Sequence, residues 1–109
     1  MYNYNAKITR VVDGDTAYTL VDLGFNVSIS ADLRFYGINA PEVHGVTKDA
    51  GLKSKARLQE LIEGKDVTID SKKLDKYGRT VAIVYLNGVN INDQMVKEGF
   101  AVPYMVDDA

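Results

Sequence analysis

Turn pairs punctuate this chain. Asp13-Gly14, Leu23-Gly24, Tyr77-Gly78 and Asn87-Gly88 each end or separate short runs rich in β-branched and aromatic residues. Glycine, with Asp or Asn beside it, suits a reversal because it accepts left-handed backbone that other residues resist. Runs this short gain little alone and must pair as strands. Residues 6–12 form the first such run, and residues 16–23 the second, where Thr16, Tyr18 and Leu20 alternate with Ala17, Thr19 and Val21. Residues 25–29 place Phe25, Val27 and Ile29 on one face at period two, and residues 33–38 extend or renew that strand.

A loop with Pro41 and Gly45 fills residues 39–46, after which the pattern changes. Thr47 suits a helix N-cap, with Asp49 near the positive end of the helix dipole. That helix is expected to reach Glu63, with Gly64 as its stop, and to bury Ala50, Ser54, Leu58, Leu61 and Ile62. Strands resume over residues 66–71 and 80–86, with a loop over 74–78, and a short helix covers about residues 91–98 before Gly99. The order β-β-β-α-β-β-α gives an α+β chain, mainly β. Five short strands with a helix after the third resemble a five-stranded OB-fold β-barrel with two helices. At 109 residues the expectation is one domain spanning 1–109.

Composition narrows the chemistry. There is no cysteine and one histidine, His44, which excludes thiolate and multi-histidine metal sites. Any metal must be held by oxygen, which favours calcium, magnesium or manganese. The net charge of −2 argues against a general nucleic-acid binder, which needs a basic face, and leaves room for local binding of a polyanion. No segment offers the roughly 20 apolar residues of a membrane span, so no membrane partner is expected. The start, MYNYNAKITR, has no apolar run behind a basic stretch. A cytoplasmic location is expected; a mature secreted form would read the same way.

Three segments carry possible chemistry. In Val12-Asp13-Gly14-Asp15-Thr16, two carboxylates flank a glycine, which suits either hard-cation ligands on a tight turn or an ordinary β-turn. In the stretch from Leu33 to Glu42, Arg34 sits inside an apolar strand, a costly place unless its charge is paired or faces a site. Asn39, Pro41 and Glu42 follow, and the proline could aim the carboxylate. The stretch Lys72-Lys73-Leu74-Asp75-Lys76-Tyr77-Gly78-Arg79 is the most basic in the chain and holds an aromatic, a mixture suited to phosphate contact and stacking, or to a solvated hairpin loop.

Taken in order, these segments resemble the staphylococcal nuclease (thermonuclease) family, whose pattern is D-G-D-T, then R-x-x-x-[DN]-x-P-E, then D-K-Y-G-R. The resemblance runs from about Lys7 to Tyr104. It implies a calcium-type nuclease, with magnesium or manganese as alternatives, acting on DNA, RNA or both. It also implies roles. Asp15, Asn39 and the Ala40 backbone carbonyl would hold the metal, with Asp13 outside them. Arg34 and Arg79 would bind the scissile phosphate, and Glu42 would act as general base or water orienter. Lys76 and Tyr77 would contact a neighbouring phosphate, and Tyr104 would lie on the base side. A monomer is expected.

Two departures matter. The familiar nuclease has aspartate where this chain has Asn39, so one formal negative charge is missing. Calcium affinity follows ligand charge, which puts the expected dissociation constant at about millimolar or weaker. The longer nuclease also continues into a third helix past the point matching Ala109. These features, with the acidic balance, keep a second reading open: a catalytically silent module that binds nucleic acid or protein. An OB-fold that binds a sugar or another small ligand is a third reading, on fold analogy alone.

Overall fold

The computed structural model describes residues 2–74 and 78–104. Five strands, β1 (Tyr2–Asp13), β2 (Thr16–Asp22), β3 (Ser28–Phe35), β5 (Asp66–Leu74) and β6 (Thr80–Leu86), hydrogen-bond in the order β3-β2-β1-β5-β6. A parallel seam between β3 and β6, pairing Leu33 with Thr80, Arg34 with Val81 and Phe35 with Ala82, closes the sheet. The result is an OB-fold barrel, as the strand order suggested. Three two-residue strands add to it: β4 (Ile38–Asn39), β7 (Val89–Asn90) and β8 (Val102–Pro103). The helices are α1 (Lys48–Ile62), preceded by a 3-10 turn at Gly45–Thr47, and α2 (Ile91–Lys97).

Alternation decides which side chains enter the barrel. Along β2, Ala17, Thr19 and Val21 point inward and are buried, while Tyr18 and Leu20 are exposed. Along β3, Leu33 and Phe35 are buried and Arg34 lies between them. Residues 2–7 of β1 pair with β5 and residues 5–13 with β2, and two bulges, between Ile8 and Arg10 and between Val11 and Asp13, bend the strand. Helix α1 plugs the barrel with Leu58 and Ile62, and α2 adds Ile91 and Met95.

Some sequence expectations need correction. The helix stripe is Gly51, Ser54, Leu58 and Ile62; Ala50 is exposed and Leu61 is half-buried, because the helix is rotated towards its small residues. Thr47 does not cap α1, since its side chain makes no capping hydrogen bond. Phe25 does not start a strand. Phe25 and Asn26 have φ of 54° and 61° and occupy the centre of a tight turn closed by Val27 N–H donating to Gly24 O at 2.8 Å. That is the left-handed geometry of a type I′ hairpin turn, and strand β3 begins only at Ser28.

Candidate active site

The site lies where β2 begins and β3 ends. Antiparallel register puts Thr16 opposite Arg34, so the Asp13–Thr16 turn and the end of β3 share one rim of the barrel. Asp15 is buried there, 7% exposed, and Phe35 N–H donates to its backbone carbonyl at 2.8 Å. Its carboxylate is tied at both oxygens. Thr16 Oγ1 donates to Oδ1 at 3.0 Å, and the Ala40 backbone N–H donates to Oδ2 at 2.8 Å. A buried carboxylate needs such donors, and here they also fix its direction.

Arg34 meets the condition that its sequence context imposed. Its guanidinium forms an ion pair with Asp15 Oδ2 at 3.4 Å and is largely covered. Nη1 donates to Phe35 O at 3.0 Å, and Nη2 donates to Ile38 O at 2.8 Å and to Asn39 Oδ1 at 3.4 Å. Carbonyls of its own strand end and of β4 thus hold the planar group in one orientation.

The Arg34 guanidinium is itself a test of the metal-ligand expectation. Its Nη1 lies 3.4 Å from Asp15 Oδ2 and its Nη2 3.4 Å from Asn39 Oδ1, so both oxygens lie against the same guanidinium group. Ala40, third in the expected set, is buried and joined to Asp15 through its N–H. Among the described residues no cluster of three or more His, Asp or Glu side chains could hold a metal. The set on offer is therefore one carboxylate, one amide and backbone oxygen. It fits a hard cation in kind and is poor in charge.

Asp13 lies beside this set. Burial pushes its carboxyl above the usual range, the neighbouring Asp15 charge adds to that, His44 and Lys55 act the other way, and Glu42 raises it slightly. Glu42 itself is exposed, in the loop between β4 and the 3-10 turn, as is His44. The Glu42 backbone carbonyl accepts a hydrogen bond from Thr47 Oγ1 at 2.9 Å.

Arg79 comes to this region through the seam. It directly precedes Thr80, the residue paired with Leu33. Lys76 and Tyr77 lie outside the described residues. Tyr104 follows β8, is half-exposed, and donates its backbone N–H to Gly37 O at 2.8 Å, beside the strand that carries Asn39. A groove of about 410 Å³ between β4, α2 and β8 is lined by residues such as Tyr36, Asn90 and Lys97, and by none of the expected site residues.

Sequence reasoning missed several contributors. The Thr16 hydroxyl on Asp15 was within the motif yet unassigned. The Ile38 carbonyl on Arg34 has no side-chain signature. Gly51 carried a legible signal, a glycine inside a helical pattern, which costs helix stability and calls for a packing reason. Ser54, read only as stripe, donates to Phe100 O at 2.8 Å and backs the Asp13–Asp15 turn.

Comparison with known proteins finds a family and several similar chains. The family described as staphylococcal nuclease homologue matches residues 32–109. A Haemophilus influenzae protein described as an uncharacterized endonuclease is 36% identical over 98 residues, covering 90% of this chain and 51% of the relative. A micrococcal nuclease of Shigella flexneri is 31% identical over 111 residues, covering 94% of this chain and 59% of the relative. Endonuclease YhcR of Bacillus subtilis is 31% identical over 115 residues, covering 94% of this chain and 9% of the relative. The chain spans about half the length of the first of these relatives and a small part of the last.

Proposed function

Because the chain belongs to the staphylococcal nuclease homologue family, we propose that it is a metal-dependent nuclease hydrolysing phosphodiester bonds of DNA, RNA or both. The observation that carries this reading is the convergence of Arg34 with Asp15 and Asn39 at one barrel rim, with Arg79 delivered to the same region by the β3–β6 seam.

The chemistry follows from charge. Attack on the phosphorus builds negative charge on the phosphoryl oxygens, and guanidinium groups already oriented towards them stabilise that charge without reorganising. Arg34 is oriented by the Phe35 and Ile38 carbonyls, and Arg79 takes the second role. Glu42, exposed on its loop, accepts the proton of the attacking water as its oxygen bonds to phosphorus; the P–O bond to the 5′-oxygen breaks, and that oxygen takes a proton from solvent. The resemblance implies 3′-phosphate and 5′-hydroxyl products. Asp15, Asn39 and the Ala40 carbonyl would hold a calcium-type cation, with Asp13 outside them; such a cation supplies positive charge to the phosphate and offsets the rim carboxylates. Lys76 and Tyr77 are assigned to a neighbouring phosphate and Tyr104 to the base side.

The test is cleavage of single-stranded DNA and RNA with calcium, magnesium, manganese or EDTA. Cation-dependent cutting that is lost in Arg34→Ala, Arg79→Ala and Glu42→Ala supports the assignment. Cutting that survives all three changes sinks it. One observation favours a silent binding module instead: Asn39 leaves a single carboxylate in the ligand set. Tight binding without cleavage under every cation would select that reading.

A further inference from the structure

Helix α1 has an interior glycine that its own stability does not ask for. Alanine at position 51 would hold the helix better. Gly51 is buried, and a Cβ there would overlap the carbonyl carbon and oxygen of Glu42 and come within 2.8 Å of Val43 N. Every one of these neighbours is backbone, which cannot swing aside as a flexible side chain does. The helix therefore lies directly against the Glu42 peptide, and the contact exists only because residue 51 has no side chain. Thr47, just before the helix, donates its hydroxyl to the same Glu42 carbonyl.

One turn further along the same face, Ser54 meets the other half of the site. A Cβ on Gly14, between Asp13 and Asp15, would overlap Ser54 Oγ and approach Ala40 Cβ to 2.9 Å. Helix α1 thus presents Gly51 to the loop of Glu42 and Ser54 to the turn of Asp15. A helix is rigid over one turn, so it sets the spacing between the Glu42 peptide and the Asp15 turn.

We propose that Gly51 is a positioning residue: through its bare Cα, α1 seats the Glu42 peptide at a fixed distance from the Asp15 turn, and the Thr47 hydroxyl completes the seat. This rests on Glu42 being the base. Glu42 is otherwise exposed on a loop, and a base displaced by about 1 Å loses on the order of 10²-fold in rate.

The experiment is a double-mutant cycle on the full chain, measuring kcat and KM with a fluorogenic oligonucleotide. It compares the wild-type protein, Gly51→Ala, Glu42→Gln and the double variant. Gly51→Ala is expected to lower kcat by about tenfold to 10²-fold, with KM within a few-fold and a thermal midpoint lowered by several degrees but still well above the assay temperature. In the Glu42→Gln background the same change is expected to have no further effect on kcat, because a group that acts through Glu42 has nothing left to act on. Should Gly51→Ala not fold, Thr47→Val tests the same seat without any overlap: kcat falls several-fold in the Glu42 protein and recovers in Thr47→Ser. Equal losses with and without Glu42 would overturn the positioning role and leave the base assignment intact. Full activity in Glu42→Gln would overturn both.

Discussion

The β2–β3 hairpin has two ends of opposite character. At its root, Thr16 faces Arg34, and the rim is a dense set of polar contacts around a buried carboxylate. At its tip, Leu23, Val27 and Ile29 are about half exposed and Phe25 is 100% exposed, on a left-handed backbone that a bulky residue adopts at a cost. One unbroken register joins the two ends. The difference teaches that regular pairing transmits position but does not demand rigidity or burial along its whole length. The candidate site lies at the end where the barrel also closes, and the free end tolerates strain.

If the root carries the chemistry, Arg34→Ala gives the largest effect. Turnover should fall by about 10²–10³-fold, the range seen when one transition-state donor is removed. Asp15 keeps its Thr16 and Ala40 donors in that variant, so the circular-dichroism spectrum should match wild type. A cleavage rate within a few-fold of wild type would break the contrast between root and tip. Restoring charge at the rim comes next. Asn39→Asp should tighten calcium binding by about tenfold or more, read by titration calorimetry, because affinity rises with ligand charge. Unchanged affinity would mean that residue 39 is not a ligand.

At the tip, the expected change is smaller and confined to stability. Phe25→Asn replaces a bulky residue with one suited to left-handed backbone, and should stabilise the fold by up to about 1 kcal/mol in urea unfolding. The cleavage rate should stay at the wild-type value, and a rate that moved with this substitution would tie the tip to the site after all.

The smallest effect lies away from the hairpin, where Arg57 of α1 binds Glu98 beyond α2 through two hydrogen bonds of 2.6 and 2.9 Å. The Arg57 contact, aided by Gln94, holds the Glu98 carboxyl at about 2, below its usual 4.5. A depressed carboxylate contributes stability above its unfolded value and loses it as pH falls through the folded one. The stability difference between wild type and Arg57→Ala should therefore shrink as pH drops from 4.5 towards 2, measured by denaturant unfolding. A difference constant across that range would discard the pair as a stabilising contact.

The barrel was legible because its information is local: alternation in residues 16–23, the Asn87-Gly88 turn and the helical spacing of Leu58 and Ile62 each name an element. The residues of the rim could be nominated for the same reason, as each motif lies within one short segment. Their geometry could not. That the Ala40 N–H meets Asp15, 25 positions earlier in the chain, depends on how the segment between them folds. Phe25 misled because its apolar character fits a strand, and only the backbone shows it as a turn residue. Thr47 misled in the opposite way: it sits where a cap belongs, but its hydroxyl is taken by Glu42 and His44 carbonyls.

The parallel seam has a consequence for how the chain is made. Arg34 and Arg79 are 45 residues apart in sequence, and three residue pairs between β3 and β6 bring their segments together. Contacts of such long range form late, after the hairpin and helix that precede them. A chain still emerging from a ribosome would already hold its Asp15–Arg34 half while lacking the second arginine. The machine that builds it is largely RNA, and if the chain cuts RNA as proposed, the topology withholds the complete candidate site until β6 has left the exit tunnel.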